Sequence, residues 1–84
     1  MNTRRMTPAE LLAIIDAAEL PANRIAGIIG VQPLTLACYL ASSVAIPAPV
    51  SRLLCIHMLF DGLAVDLARP WVPDELAAVL APII

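Results

Sequence analysis

Residues 20–40 read Leu20-Pro21-Ala22-Asn23-Arg24-Ile25-Ala26-Gly27-Ile28-Ile29-Gly30-Val31-Gln32-Pro33-Leu34-Thr35-Leu36-Ala37-Cys38-Tyr39-Leu40. Two short helices joined by a tight turn account for this stretch. Pro21 fits the first turn of a helix over 22–29, where its missing N–H has no intrahelical partner to lose. Ile25, Ala26 and Ile29 then share one face. Gly30 can take the left-handed conformation that stops a helix. Val31 tucks inward, and Gln32-Pro33 starts a second helix over about 33–41 with Leu36 and Tyr39 turned to the core.

Working outward, Thr7-Pro8-Ala9-Glu10 carries the signals of a helix start. Thr7 can cap, Pro8 suits the first helical position, and Glu10 completes a capping box. The helix over 8–18 presents Leu11, Ile14, Ile15 and Ala18 on one face. Residues 1–6 read as a tail. After position 41 the periodicity fails, and 42–48, with Pro47, reads as a loop. Pro49 starts a helix over 49–61 that Gly62 ends. On it Val50, Leu53, Leu54, His57 and Met58 form one face, and Ile56, Leu59 and Phe60 form another. A helix apolar nearly all round is buried on several sides. Residues 63–68 fit a short helix or an extended piece, and Pro70-Trp71-Val72-Pro73 a rigid connector. Asp74 and Glu75 suit the start of a last helix over 76–81, which Pro82 ends. The sequence therefore predicts an all-α fold, a compact bundle of four to six short helices. Its parts are a tail (1–6), a domain (7–61) and an extension (62–84) packing on the domain or on a partner.

Composition narrows the function. The 84-residue chain is 61% hydrophobic and 14% charged, against about 45–50% and about 25% in ordinary soluble domains. Its net charge is −2, and its five cations are Arg4, Arg5, Arg24, Arg52 and Arg69. Phosphate contacts come mainly from Arg and Lys, so a general nucleic-acid binder is poorly supported. The uncharged stretch 25–51 is long enough for a bilayer. Gln32-Pro33 in its middle would open the hydrogen-bond ladder of a spanning helix, and the flanks lack a polybasic cluster. The reading is against a membrane span, and the Arg4-Arg5 start, with no apolar leader, points to the cytoplasm. No Gly-rich phosphate loop, carboxylate pair or nucleophile–base set occurs, so no catalysis and no cofactor are expected. Cys38 and Cys55 read as small apolar residues, with a mutual disulfide left open. Cys55-x-His57 is not a zinc spacing, and four ligands cannot be assembled. His57 stands alone and reads as structural.

The stretch 20–40 resembles the helix-turn-helix unit of the lambda-repressor/Cro (XRE-type) family. The resemblance rests on Ile25-Ala26, on Gly30-Val31 at the turn, and on Leu36 and Tyr39 in the second helix. Ile46-Pro47 and Val50-x-x-Leu53-Leu54 resemble that family's fourth helix, so the likeness covers about 7–60. It implies a dimeric DNA-binding transcriptional regulator. Base edges would be read from Gln32 and Thr35, and phosphates contacted by Asn23, Arg24 and the arm residues Arg4 and Arg5. The departures are as informative. The start and outer face of the second helix hold Pro33, Leu34 and Cys38, which with Ile28, Ala37 and Ala41 make an apolar strip where DNA would lie. That strip suggests a protein-interaction or self-assembling module on the same fold. The expected interface residues are Ile28, Leu34 and Cys38 on the strip, Ile56, Leu59 and Phe60 on the following helix, and Trp71, which reads either as an anchor packing the extension onto the domain or as a binding contact. Too few charges to coat a monomer predict a homo-oligomer, most simply a two-fold dimer.

Overall fold

A computed structural model describes residues 5–76. In chain order it holds α1 (Pro8–Ala18), α2 (Ala22–Ile29), α3 (Pro33–Leu40), α4 (Ala48–Asp61), α5 (Val65–Ala68) and a 3-10 helix (Arg69–Trp71). Residues 74–76 are again helical, and no strand occurs among the described residues. The rest of the helix expected over 76–81 lies outside them, as does Arg4.

Local chemistry sets the boundaries. Thr7 Oγ1 accepts from the Glu10 amide at 3.2 Å, and Glu10 Oε1 accepts from the Thr7 amide at 2.9 Å. That reciprocal pair is the capping box read from the sequence. Proline stands in the first turn of α1, α3 and α4. In α2 the proline sits one step earlier than expected, with Pro21 as the extended residue before the helix. Helix α4 begins at Ala48, ahead of the expected Pro49, because Pro47 takes that same flanking role. The ambiguous 63–68 resolves into the short α5.

One core joins these elements. Helix α2 packs on α3 and α4, α1 on α3 and α5, and α4 on α5 and the 3-10 helix. Leu11, Ile14, Ile25, Leu36, Leu54, Cys55, Met58 and Val72 are its largest fully buried side chains. The faces expected of the first three helices are the faces observed.

Helix α4 is turned from its expected orientation. Its buried residues are Ser51, Leu54, Cys55, Met58 and Leu59. Leu53, expected inside, is 40% exposed, His57 is exposed, and Val50 is half-buried. Leu59, expected on an interface, is a core residue. The physical reason is that apolar side chains surround this helix, so hydrophobicity alone does not choose a side. Ser51 can go inward because its hydroxyl donates to the Ala48 carbonyl at 3.0 Å and loses no hydrogen bond. Trp71, read either as an anchor of the extension or as an interface residue, takes the first role: it is buried in the 3-10 helix beside buried Ala68 and Val72. Two residues from irregular segments join the core as well: Met6, expected in a tail, and Ile46, from the loop after α3. The Arg5 guanidinium donates to the Ile46 carbonyl at 3.1 Å and ties those two segments together.

Among the described residues no helix is long and apolar enough to cross a membrane. The uncharged stretch is divided among α2, α3, a loop and the start of α4.

Candidate functional site

The turn between α2 and α3 is three residues long, Gly30, Val31 and Gln32. Gly30 is left-handed at φ 73°, ψ 28°, and its N–H turns back to the carbonyls of Ala26 and Gly27. The Val31 N–H donates to the Ala26 carbonyl at 3.0 Å. This pairing closes the end of α2 by meeting carbonyls that the helix itself leaves open. Gln32 is extended at ψ 152°, and its side chain makes no capping bond. Its carboxamide therefore stands free of the helix start that it precedes.

With Ile25, Ala26 and Ile29 of α2 and Leu36 and Tyr39 of α3 buried, the opposite faces meet solvent. Gln32, Pro33 and Leu34 are exposed at the start of α3, and Thr35 and Cys38 are half-buried. On α2, Asn23 and Arg24 are exposed and Ile28 is half-buried. The sequence-derived DNA set is thus accessible at Gln32, Asn23, Arg24 and Arg5, and partly so at Thr35. The apolar strip is accessible most of all at Leu34, which is 76% exposed. Arg24 is the one cation of the α2–α3 pair. Arg5 is held beside the loop after α3, where a groove of about 320 Å³ runs between residues 5–8 and 42–46.

Among the described residues no group of three or more His, Cys, Asp or Glu could hold a metal ion. Both cysteines are free, so the disulfide left open by the sequence does not form. Burial pushes the Cys55 thiol up from 9.0 to about 12 and keeps it protonated and unreactive.

A second surface was only half legible in the sequence. Leu53, Ile56, His57 and Phe60 run along the side of α4 that faces away from Leu54, Cys55 and Met58. Leu53 and Phe60 are 40% and 53% exposed, and Ile56, His57 and Phe60 line a groove of about 250 Å³. The sequence placed Ile56 and Phe60 on a second face but gave Leu53 and His57 to the core. The signal that finds the stripe is the i, i+3, i+4, i+7 spacing of 53, 56, 57 and 60, once Ser51 and Cys55 are assigned inward. Comparisons with protein-family models, with curated proteins and with solved structures gave no match to this chain.

Proposed function

We propose that the protein is a DNA-binding regulator of the helix-turn-helix kind, with α3 as the helix that enters the major groove. The observation that supports this reading is the α2–α3 unit itself. Its inner faces are buried, its turn is fixed by a left-handed glycine, and the start of α3 projects Gln32, Pro33 and Leu34 into solvent. A major groove about 12 Å wide admits such a helix. The Gln32 carboxamide suits the paired donor and acceptor of adenine, Thr35 offers a hydroxyl, and Leu34 suits a thymine methyl. Arg24 and Arg5, with Arg4 of the arm, would meet phosphates, and Asn23 would hydrogen-bond the backbone.

A net charge of −2 makes the ionic contribution small. Two to four neutralised phosphates give a log–log salt slope of about −2 to −4. Titration of a labelled duplex at several salt concentrations tests this. Binding with that slope, and relaxed base preference in Gln32→Ala, supports the reading. No binding at low salt, or a base preference unchanged in Gln32→Ala, overturns it.

One observation favours a second reading. Leu34, the most exposed large apolar side chain described, stands at the centre of the face in question. On this reading α3 docks an apolar protein surface, and duplex DNA is not its partner.

A further inference from the structure

We propose that the outer face of α3 reads methyl groups, so that its target is a thymine-rich run of A·T pairs. This deepens the DNA-binding reading above and rests on it. The first observation is the make-up of the face. Leu34, Ala37, Cys38 and Ala41 follow one another at the spacing of a single helical face. Leu34, Ala37 and Ala41 are exposed and Cys38 is half-buried. Leu34 leads the face at 76% exposure. Beside them only Gln32 and Thr35 carry strong hydrogen-bonding side chains, and no residue from 25 to 51 is charged.

Base-edge chemistry then chooses the sequence. The major-groove edge of a G·C pair consists of donors and acceptors, whereas an A·T pair adds the thymine C5 methyl. Hydrocarbon laid on a G·C edge takes water from polar groups and replaces none of the lost hydrogen bonds. Laid on thymine methyls, it buries apolar surface on both sides. Gln32 points the same way independently, since its carboxamide pairs with adenine N6 and N7. One part of the face matches adenine and the other thymine, and a single type of base pair supplies both. Positions 34–38 cover about one helical turn, ~5.4 Å along the axis, while successive base pairs rise about 3.4 Å. The face therefore spans neighbouring thymines rather than one.

Charge is the second observation. Arg24 is the only cation on α2 and α3. Pro33, at the first position of α3, removes one backbone donor from the helix start. Phosphate contacts, which hold every sequence alike, are few here. A larger part of the affinity then falls to base edges, and base edges are what a methyl-reading face distinguishes. The strip that tells against a general nucleic-acid binder is, on this account, what selects a sequence.

Anisotropy titration of the full chain at low salt tests the proposal, with a labelled A·T duplex and the same duplex carrying deoxyuridine for every thymidine. Uracil pairs as thymine does and lacks only the C5 methyl. A buried methyl is worth about fourfold in affinity, so the loss of two or more should weaken binding about tenfold or more. Leu34→Ala alters an exposed position, and circular dichroism should show it folded. In that variant the ratio between the two duplexes should shrink by about fourfold. Equal binding of the two duplexes by wild type overturns the proposal and leaves DNA binding standing. A ratio that Leu34→Ala does not change overturns it too, because the methyls are then read elsewhere. No binding to either duplex removes the DNA-binding reading, and this proposal with it.

Discussion

Helices α2 and α4 pack against each other, yet only α2 carries its orientation in its own residues. In α2, Ile25, Ala26 and Ile29 are buried while Asn23, Arg24 and Gly27 face solvent, so polarity marks the outside. In α4 the buried set includes Ser51 and Cys55, and the exposed set includes Leu53 and Phe60. The outer side of α4 is as apolar as the inner. A helix with a polar face is oriented by its composition. A helix with two apolar faces is oriented by its neighbours.

The largest expected effect tests that orientation directly. Leu53 and Leu54 are adjacent and chemically identical, but Leu54 is 0% exposed and Leu53 40%. Leu54→Ala should lower stability by about 2–5 kcal/mol, the range for a cavity in a packed core. Leu53→Ala should cost under about 1 kcal/mol in the monomer, since most of its side chain is already in water. Denaturant unfolding of both variants, at concentrations low enough to keep the chain monomeric, checks the pair. Equal losses would mean that α4 is not turned as described.

The same contrast explains how much was legible in the sequence. Helix ends were readable because a few local groups fix them: Thr7 and Glu10 start α1, Gly30 and Gly62 stop α2 and α4, and Pro33 opens α3. The faces of α1, α2 and α3 were readable from spacing. The side of α4 was not, and neither was the burial of Met6 and Ile46, because irregular segments have no period to show which residue turns inward. Trp71 between prolines could be read as a core anchor or a partner contact, and only packing against the rest of the chain decided for the core. At the candidate site, the residues of the α2–α3 unit were found from the turn. The α4 stripe was only half found, because Leu53 and His57 had been assigned to the core.

The next effect concerns the inner side of α4. The folded chain holds Cys55 as a neutral thiol with a pKa of about 12, against 9.0 for the ordinary group. Below pH 9 both folded and unfolded chains keep the proton, so Cys55 adds no pH dependence. Above pH 9 the unfolded chain releases it and the folded chain does not. Stability should therefore fall between about pH 9 and 12, by about 1.4 kcal/mol per pH unit from this group. Cys55→Ala should remove that component of the alkaline slope. Alkylation of native protein at neutral pH should label Cys38, which is half-buried, well before Cys55. A Cys55 that reacts as fast as Cys38 would break the assignment of this side to the core.

Helix α2 allows a smaller test with opposite signs at two glycines. Gly27 lies inside the helix, and a Cβ there would meet nothing within 4 Å. Gly27→Ala should stabilise by about 0.5–1 kcal/mol, through the backbone entropy that glycine loses in a helix. Gly30 has equally open surroundings but a φ of +73°. Gly30→Ala should destabilise by about 1 kcal/mol, since an L side chain is strained in that region. Thermal unfolding of the two variants should move in opposite directions. A shift of the same sign in both would mean that the turn does not depend on a left-handed Gly30.

The smallest expected effect on stability falls on Leu34, and it separates the two readings of α3. Leu34 is 76% exposed, whereas Leu36, two residues later, is 1% exposed. Leu34→Lys replaces an apolar side chain that already stands in water, so the unfolding free energy should change by no more than about 0.5 kcal/mol. Binding should change much more, and its sign carries the information. If α3 enters a DNA groove, the new cation can neutralise a phosphate. Affinity for duplex of random sequence should then rise, and the salt slope should steepen by about one unit. If α3 docks on an apolar protein surface, the same substitution places a charge in a desolvated contact and should abolish that association while leaving the fold intact. Duplex titration and sedimentation on one preparation of Leu34→Lys therefore give opposite results under the two readings.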